Sequence, residues 1–211
     1  MMKPVRYPHP FSAAYWRDAA AEVRDLRKLV FAALMIALCT VLGYLPAVTL
    51  PYGGRVTWGF LARALCGYVC GPVLGALFGF AEDILSFFLT GGGGYPFFFG
   101  YTLTTMLGVL IYALFLYRAD LTVRRVVAAK LLTNVENVVL GALWMAILSG
   151  KAYLVTASAS AVKNLVMWPI QAALLYGLLA LLLPSLKRAG LVPRATRRAV
   201  LSALTTRHAP R

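Results

Sequence analysis

"ASASAVKNLVMWPIQAALLYGLLALLL", residues 157–183, carries one charged side chain, Lys163. A helix needs about 17–25 predominantly apolar residues to cross roughly 30 Å of hydrocarbon, and this run supplies them. An ammonium inside such a helix costs about 2.5–3.5 kcal/mol on insertion scales, so it faces a cavity or a partner rather than lipid. Its polar neighbours agree. Ser160, Lys163, Asn164, Met167 and Gln171 fall on one stripe by steps of three and four residues. Pro169 has no N–H to offer the carbonyl of Leu165, which leaves an acceptor near that stripe. The stretch predicts a membrane helix with one wet face.

The rest of the chain repeats the pattern. Of its 211 residues, 61% are hydrophobic and 13% charged, where soluble domains carry about a quarter charged. Six spans are predicted, at about 29–45, 58–70, 71–89, 97–117, 126–148 and 157–183. "PAVTLPYGGRVT" (46–57) and "TGGGGYP" (90–96) interrupt them with proline and glycine, and Pro184 ends the last. The net charge of +14 would suit nucleic acid, but its placement suits a membrane. Lys3, Arg6, Arg17, Arg24, Arg27 and Lys28 precede the first span; Lys187, Arg188, Arg194, Arg197, Arg198, Arg207 and Arg211 follow the last. Basic residues collect on the cytoplasmic side. An even number of spans puts both termini there, together with Arg118, Arg124 and Arg125, and leaves only Arg55 and Lys151 outside.

The expected fold is therefore an all-α membrane protein, a bundle of six transmembrane helices with both termini cytoplasmic and no nucleic-acid partner. Residues 1–28 form a basic cytoplasmic segment in which Phe11, Tyr15, Ala19, Val23 and Leu26 recur at the spacing of an interfacial helix. Residues 29–183 form the membrane domain that holds the candidate site, and 184–211 a basic cytoplasmic tail. Gly67, Gly71, Gly75 and Gly79, spaced by four, form a ridge that lets helices approach closely.

Counted inward from the outer end of each span, Arg63, Asp83, Tyr101, Trp144 and Lys163 all fall about 6–9 Å deep at 1.5 Å per residue. Such a layer predicts a pocket opening outward. Asn134, Asn137, Gly141, Trp144 and Leu148 make a second stripe on the fifth predicted span. Trp144 offers a flat surface and Lys163 a point charge suited to a carboxylate, which together fit a planar aromatic anion. The candidate binding residues are Lys163, Asn164, Trp144, Tyr101, Thr102, Gln171, Asn137 and Arg63. Arg63 is expected to pair with Asp83, and the flanking Asn134 and Asn137 are the candidate partners of Glu136.

Catalysis has little to stand on. Cys39, Cys66 and Cys70 sit inside apolar runs without the histidine or carboxylate partners of a metal site. His9 and His208 lie near the chain ends, and no GxxxxGK[ST] phosphate loop occurs. Glu82 and Asp83 are adjacent and so point about 100° apart on a helix, a poor shared metal site. No catalytic residue, metal or cofactor is expected, and the chain is not expected to be an enzyme. A membrane-embedded enzyme acting on lipid phosphates is a remote alternative, since it would need clustered aspartates or histidines.

In order along the chain, "AALMIA" (32–37), "CGPVLGALFGFAEDI" (70–84), "GYTL" (100–103), "LIYALFLYR" (110–118), "LWMAILSGKAY" (143–153) and "KNLVMWPIQ" (163–171) make a set of landmarks. With them the chain resembles the substrate-binding S components of energy-coupling factor (ECF) vitamin transporters, and most closely the folate-specific branch. The resemblance implies a multi-pass protein of a prokaryotic cell membrane. It implies capture of folate or a reduced folate from outside, and delivery through a transmembrane coupling subunit and two ATPase subunits that hydrolyse ATP. It also implies that Ala33 and Ala37 meet the coupling subunit, that the loops holding Tyr52, Arg55, Gly93 and Tyr95 gate the pocket, and that Lys163 and Asn164 match the family's lysine–asparagine pair. Ser160 stands where the folate pattern has arginine, Gly141 where it has asparagine, and Arg63 where it is apolar. Another vitamin, pterin or deazapurine is accordingly the alternative cargo.

Overall fold

The computed structural model describes residues 12–45, 48–49, 55–91 and 96–192, the two strands by their backbone. Its elements are α1 (Ala13–Ala21), α2 (Leu26–Tyr44), β1 (Val48–Thr49), β2 (Arg55–Val56), α3 (Phe60–Thr90), α4 (Phe99–Leu116), α5 (Val123–Glu136), α6 (Ala142–Ser149) and α7 (Tyr153–Arg188). The strands pair antiparallel as a small ribbon. A turn of π-helix, Asn137–Gly141, joins α5 to α6, so Val123–Ser149 is one span. Five elements, α2, α3, α4, α5–α6 and α7, are long and apolar enough to cross a membrane. Leu34, Leu154, Leu165 and Leu181 point outward and are largely exposed, an apolar exterior that lipid solvates and water does not. The protein is an all-α, multi-pass membrane protein.

The fold turns on α3. At Gly71 the backbone adopts φ 77° and ψ −174°, and Pro72 follows, a conformation open almost only to glycine. The helix does not merely bend there. In a straight helix residues 63 and 82 would lie about 28 Å apart, yet Arg63 Nε donates to Glu82 Oε2 at 2.8 Å. A Cβ on Gly75 would lie 3.9 Å from Gly67 Cα. The two arms fold back on each other as a helical hairpin, and the predicted spans 58–70 and 71–89 are its arms. The first arm is short, about 16 Å from Phe60 to Cys70, and starts partway along the bundle, where the Gly59 carbonyl lies 3.8 Å from Cys39 Sγ on α2.

The glycine ridge seats α4 against this hairpin. A Cβ on Gly67 would come within 2.9 Å of the Val109 carbonyl, so the contact admits hydrogen alone. Cys66 and Cys70 are fully buried in the same layer and serve packing. On the opposite flank α5–α6 and α7 run antiparallel. Thr156 Oγ1 donates to the Ala142 carbonyl, Asn134 Nδ2 to the Asn164 carbonyl and Trp168 Nε1 to the Val127 carbonyl, partners that step oppositely along the two helices. α7 runs through Pro184 to Arg188, past the predicted stop. Its end is set by Gly190 at φ 72°, where the N–H groups of Gly190 and Leu191 close on the carbonyls of Lys187 and Leu186 and satisfy the helix end.

One end of the bundle gathers the basic segments. α1 lies across it with Tyr15 and Ala19 buried, and Tyr15 edge-on to Tyr117 at 5.9 Å. Glu22, its side chain only 11% exposed, takes Lys28 as an ion-pair partner and accepts from Arg118 Nη2 at 2.8 Å and Tyr117 Oη at 2.6 Å. Gly190 at the end of α7 lies near Arg27 at the start of α2, which brings the first and last spans together at this basic end. Burial alone would raise the Glu22 carboxyl, but hydrogen bonds from Lys28 and Tyr117 and the charge of Lys28 outweigh it and hold the group below its ordinary value. Burial works against the Arg118 guanidinium, but Tyr117 beside it and then the pairing with Glu22 hold it above its ordinary value.

Two outcomes follow. Gly71→Ala forces a Cβ to within 2.9 Å of the Tyr117 ring at a left-handed φ and should cost roughly 1–3 kcal/mol or more. Gly177→Ala, where nothing lies within 4 Å, should be neutral or slightly stabilising; melting temperatures in detergent compare the two. A carboxyl depressed in the fold stabilises it above the unfolded pKa, and that contribution disappears as pH falls through the folded pKa. Thermal unfolding from pH 7 to pH 3 should therefore show Glu22→Gln less stable than the parent at neutral pH, with the two converging in acid.

Candidate functional site

A cavity of about 540 Å³ runs between α3, α4, α5–α6 and α7. Its wall on α4 extends from Tyr101 through Thr104, Thr105 and Gly108 to Tyr112, about 16 Å along the helix axis. The expected shallow layer is thus a shaft. At the end away from the basic face it reaches Thr57, Thr90, Pro96, Phe97 and Phe98; toward the basic end it reaches Arg63, Lys130, Thr133 and Gln171. Aromatic rings line the first end, with Phe87 edge-on to Phe97 at 5.3 Å and Phe98 to Tyr101 at 6.2 Å. Polar side chains line the second.

Most polar groups around the shaft are matched within the protein. Arg63 pairs with Glu82 rather than with Asp83, through Nε to Oε2 at 2.8 Å and Nη2 to Oε1 at 3.1 Å. Ser86 Oγ adds a third hydrogen bond to the same carboxylate at 3.2 Å. Asp83, one helical step away, turns instead to α4 and accepts from Thr102 at 2.7 Å and Thr105 at 3.1 Å. The 100° between neighbouring residues explains the division: Glu82 faces the other arm of its hairpin and Asp83 faces α4. Asn164 donates to Asn137 Oδ1 at 3.2 Å and to the Ser160 carbonyl at 2.9 Å, while Asn134 donates to the Asn164 carbonyl at 3.3 Å. This amide network fixes the level at which α5 meets α7.

The unmatched groups are fewer. Among the described residues, Lys163, Lys130 and Glu136 form no ion pair within 4.0 Å. Lys130 rests over the Phe60 ring at 4.5 Å. Glu136 Oε1 and Gln171 Oε1 are buried acceptors without a hydrogen-bond donor among the described residues, and both residues line the cavity. Left in place, each costs free energy that a donor-bearing ligand would recover.

The predicted binding residues divide accordingly. Lys163, Asn164, Tyr101, Gln171, Asn137 and Arg63 all line the shaft. Trp144 stands behind that wall, its ring 5.6 Å from Phe98 and its N–H donated to Thr104 at 2.9 Å. Thr102 is fully buried and spends its hydroxyl on Asp83. Arg55 pairs with Thr49 in the ribbon, and Tyr52, Gly93 and Tyr95 lie outside the described residues. Ala33 and Ala37 fall on the exposed face of α2 with Val30, Leu34 and Val41, away from the cavity. Sequence reasoning did not put Thr104, Thr105, Thr133, Phe97, Phe98 or Met145 in the site. The α4 threonines were legible in principle, since Tyr101, Thr104, Thr105, Gly108 and Tyr112 follow the same three–four spacing as the stripe on α7.

Comparison with known proteins agrees with this architecture. Residues 27–181 match the family model described as the ECF transporter, substrate-specific component. A folate transporter FolT from Clostridium novyi is 31% identical over 156 residues, covering 74% of this chain and 89% of that protein. The folate transporter FolT of Leuconostoc mesenteroides is 30% identical over 162 residues, with 85% of its length covered. A crystal structure of FolT bound with folic acid superposes with a TM-score of 0.64 at 26% identity, over 72% of this chain and 91% of that one.

The Arg63–Glu82 pair yields a direct test. Glu82→Leu leaves Arg63 without its partner and should cost about 3 kcal/mol, the low end for broken buried pairs because Arg63 also faces the cavity. Adding Arg63→Met should restore much of that loss, as thermal unfolding of the single and double variants in detergent will show.

Proposed function

The chain belongs to the substrate-specific components of the ECF transporters, and from that membership we propose that it captures folate or a reduced folate from outside the cell for ATP-driven uptake. The observation that carries the reading is Lys163: a cation on the wall of the shaft with no carboxylate among the described residues within 4.0 Å. A folate brings both an aromatic body and a glutamyl carboxylate. The carboxylate supplies the missing counter-charge in a charge-assisted hydrogen bond, and the benzoyl ring next to it fits the ring-lined end formed by Phe87, Phe97, Phe98 and Tyr101, which leaves the polar end of the shaft to the pteridine. The folate-binding relatives support the same cargo.

In this reading the polypeptide crosses a prokaryotic plasma membrane six times, through α2, both arms of α3, α4, α5–α6 and α7. The convergence of Arg27, Arg118 and the end of α7 on one face supports placing both termini in the cytoplasm. The shaft then opens outward. ATP hydrolysis belongs to two partner ATPases reached through a transmembrane coupling subunit. Ala33 and Ala37, small and exposed on α2, are the contact offered to that subunit, and the segments holding Tyr52, Arg55, Gly93 and Tyr95 gate the opening.

Lys163→Met keeps the apolar length and removes the charge. Folic acid affinity, measured by calorimetry on purified protein, should fall about ten- to a hundredfold with the melting temperature of the ligand-free protein preserved. An unchanged affinity would remove Lys163 from the site, and no binding of any folate by the parent would remove the cargo assignment.

A further inference from the structure

Glu136 is the least explained charge in the bundle. Carboxylates inside a membrane domain are rare and mark a pathway or a ligand. The other acids within the described membrane-spanning helices each have an assigned partner: Glu82 holds Arg63, and Asp83 holds two threonines. Glu136 has none among the described residues, and its Oε1 is shut away from solvent. The protein nevertheless makes room for it. Gly108 on α4 faces it without a side chain, and a Cβ there would sit 4.0 Å from Glu136 Oε2. The π turn begins at the next residue, Asn137; such turns re-aim side chains at functional sites.

The direction of the side chain matters. Asn137 and Asn164 are hydrogen-bonded, so Glu136 and Lys163 leave their helices at similar levels. Cα–Cβ bonds tilt toward the N-terminus of their own helix, and α5 and α7 run antiparallel. The Cα–Cβ bond of Lys163 therefore tilts toward the aromatic end of the shaft and that of Glu136 toward the end holding Lys130 and Gln171. A ligand that gives its carboxylate to Lys163 presents its other end to Glu136.

Resting on the folate reading above, we propose that Glu136, assisted by the Gln171 carbonyl oxygen, recognises the donor edge of the pteridine. That edge presents a ring N–H and an exocyclic amino group side by side, and a carboxylate accepts from both in a two-pronged pair. Gln171 Oε1 is a second buried acceptor in the same cavity. Glu136 sets specificity for a 2-amino-4-oxo ring, whereas Lys163 sets affinity for the acidic tail. A site built to receive hydrogen bonds rejects analogues that lack the donor, because its acceptor is then left unpaired.

The experiment measures affinities of folic acid and of its 2-desamino-2-methyl analogue for the parent, Glu136→Gln, Gln171→Met and Lys163→Met. The parent should prefer folic acid by about tenfold or more. Glu136→Gln should weaken folic acid and bring the two ligands within about twofold of each other, Gln171→Met should narrow the ratio, and Lys163→Met should weaken both and keep the ratio. A merely structural Glu136 would move both ligands together. If the parent binds folic acid but does not distinguish the analogue, or if Glu136→Gln preserves the ratio, the inference fails and the folate reading stands. If the parent binds neither ligand, the folate reading itself fails. A parent that does not discriminate overturns the inference whatever the variants do. Where Glu136→Gln does not fold, Glu136→Asp, which keeps the carboxylate and shortens its reach, should narrow the ratio; a ratio unchanged in that variant overturns the inference.

Discussion

The two-pronged pairing of Arg63 with Glu82 exists because the chain reverses between them at Gly71. A guanidinium and a carboxylate drawn from distant points of one long helical element meet only if the element folds on itself, and the left-handed backbone at Gly71 with Pro72 behind it makes that reversal without a loop. The turn sets the spacing of the two arms, the arms set the surface against which α4 packs, and α4 supplies the threonine-rich wall of the cavity. Filling the turn with a side chain would disturb the site from a distance. The pair itself is costly to hold in a low-dielectric interior unless its hydrogen bonds are complete, and here Ser86 adds the third.

The interior follows a simple rule. Around the cavity, most polar groups that serve the scaffold are matched inside it, and those that serve a guest are left over. Asp83 is consumed by Thr102 and Thr105, the asparagines of α5 and α7 consume one another, and the Trp144 N–H is consumed by Thr104. What remains is two ammonium groups, a carboxylate and an amide carbonyl in one cavity. In a solvent-filled surface cleft such remainders would mean little, because water satisfies them. In a membrane bundle the cost of an unsatisfied group is high enough that leftovers are informative.

Much of this was written in the sequence. Apolar run lengths and basic clusters fix the membrane class, and the lone lysine in the last span marks the cavity wall. Even the short second span is visible as the first arm of the hairpin. Three features were not legible. Whether Glu82 or Asp83 meets Arg63 depends on a rotation of one residue about the helix, which span boundaries uncertain by a residue or two do not resolve. Trp144 lies on the same stripe as Asn137 only if the helix between them is regular, and the π turn breaks that arithmetic, so the ring ends behind the wall. Depth was misjudged because the first arm begins below the far end of the bundle, at the level of Cys39; counting residues inward from a predicted edge assumes that every helix starts at the same height.

That wide turn has an evolutionary side. A π turn holds one residue more than the α turn it replaces, so the segment Asn137–Gly141 is a slack link between two rigid rods. Losing a residue there would take up the slack and rotate the Trp144–Met145 half by about 100° relative to the Lys130–Asn137 half, presenting a different set of side chains to the guest while the ends of the helix keep their neighbours. A scaffold with such an adjustable joint beside its binding wall can retool what it holds by a single deletion, without redesigning the bundle around it.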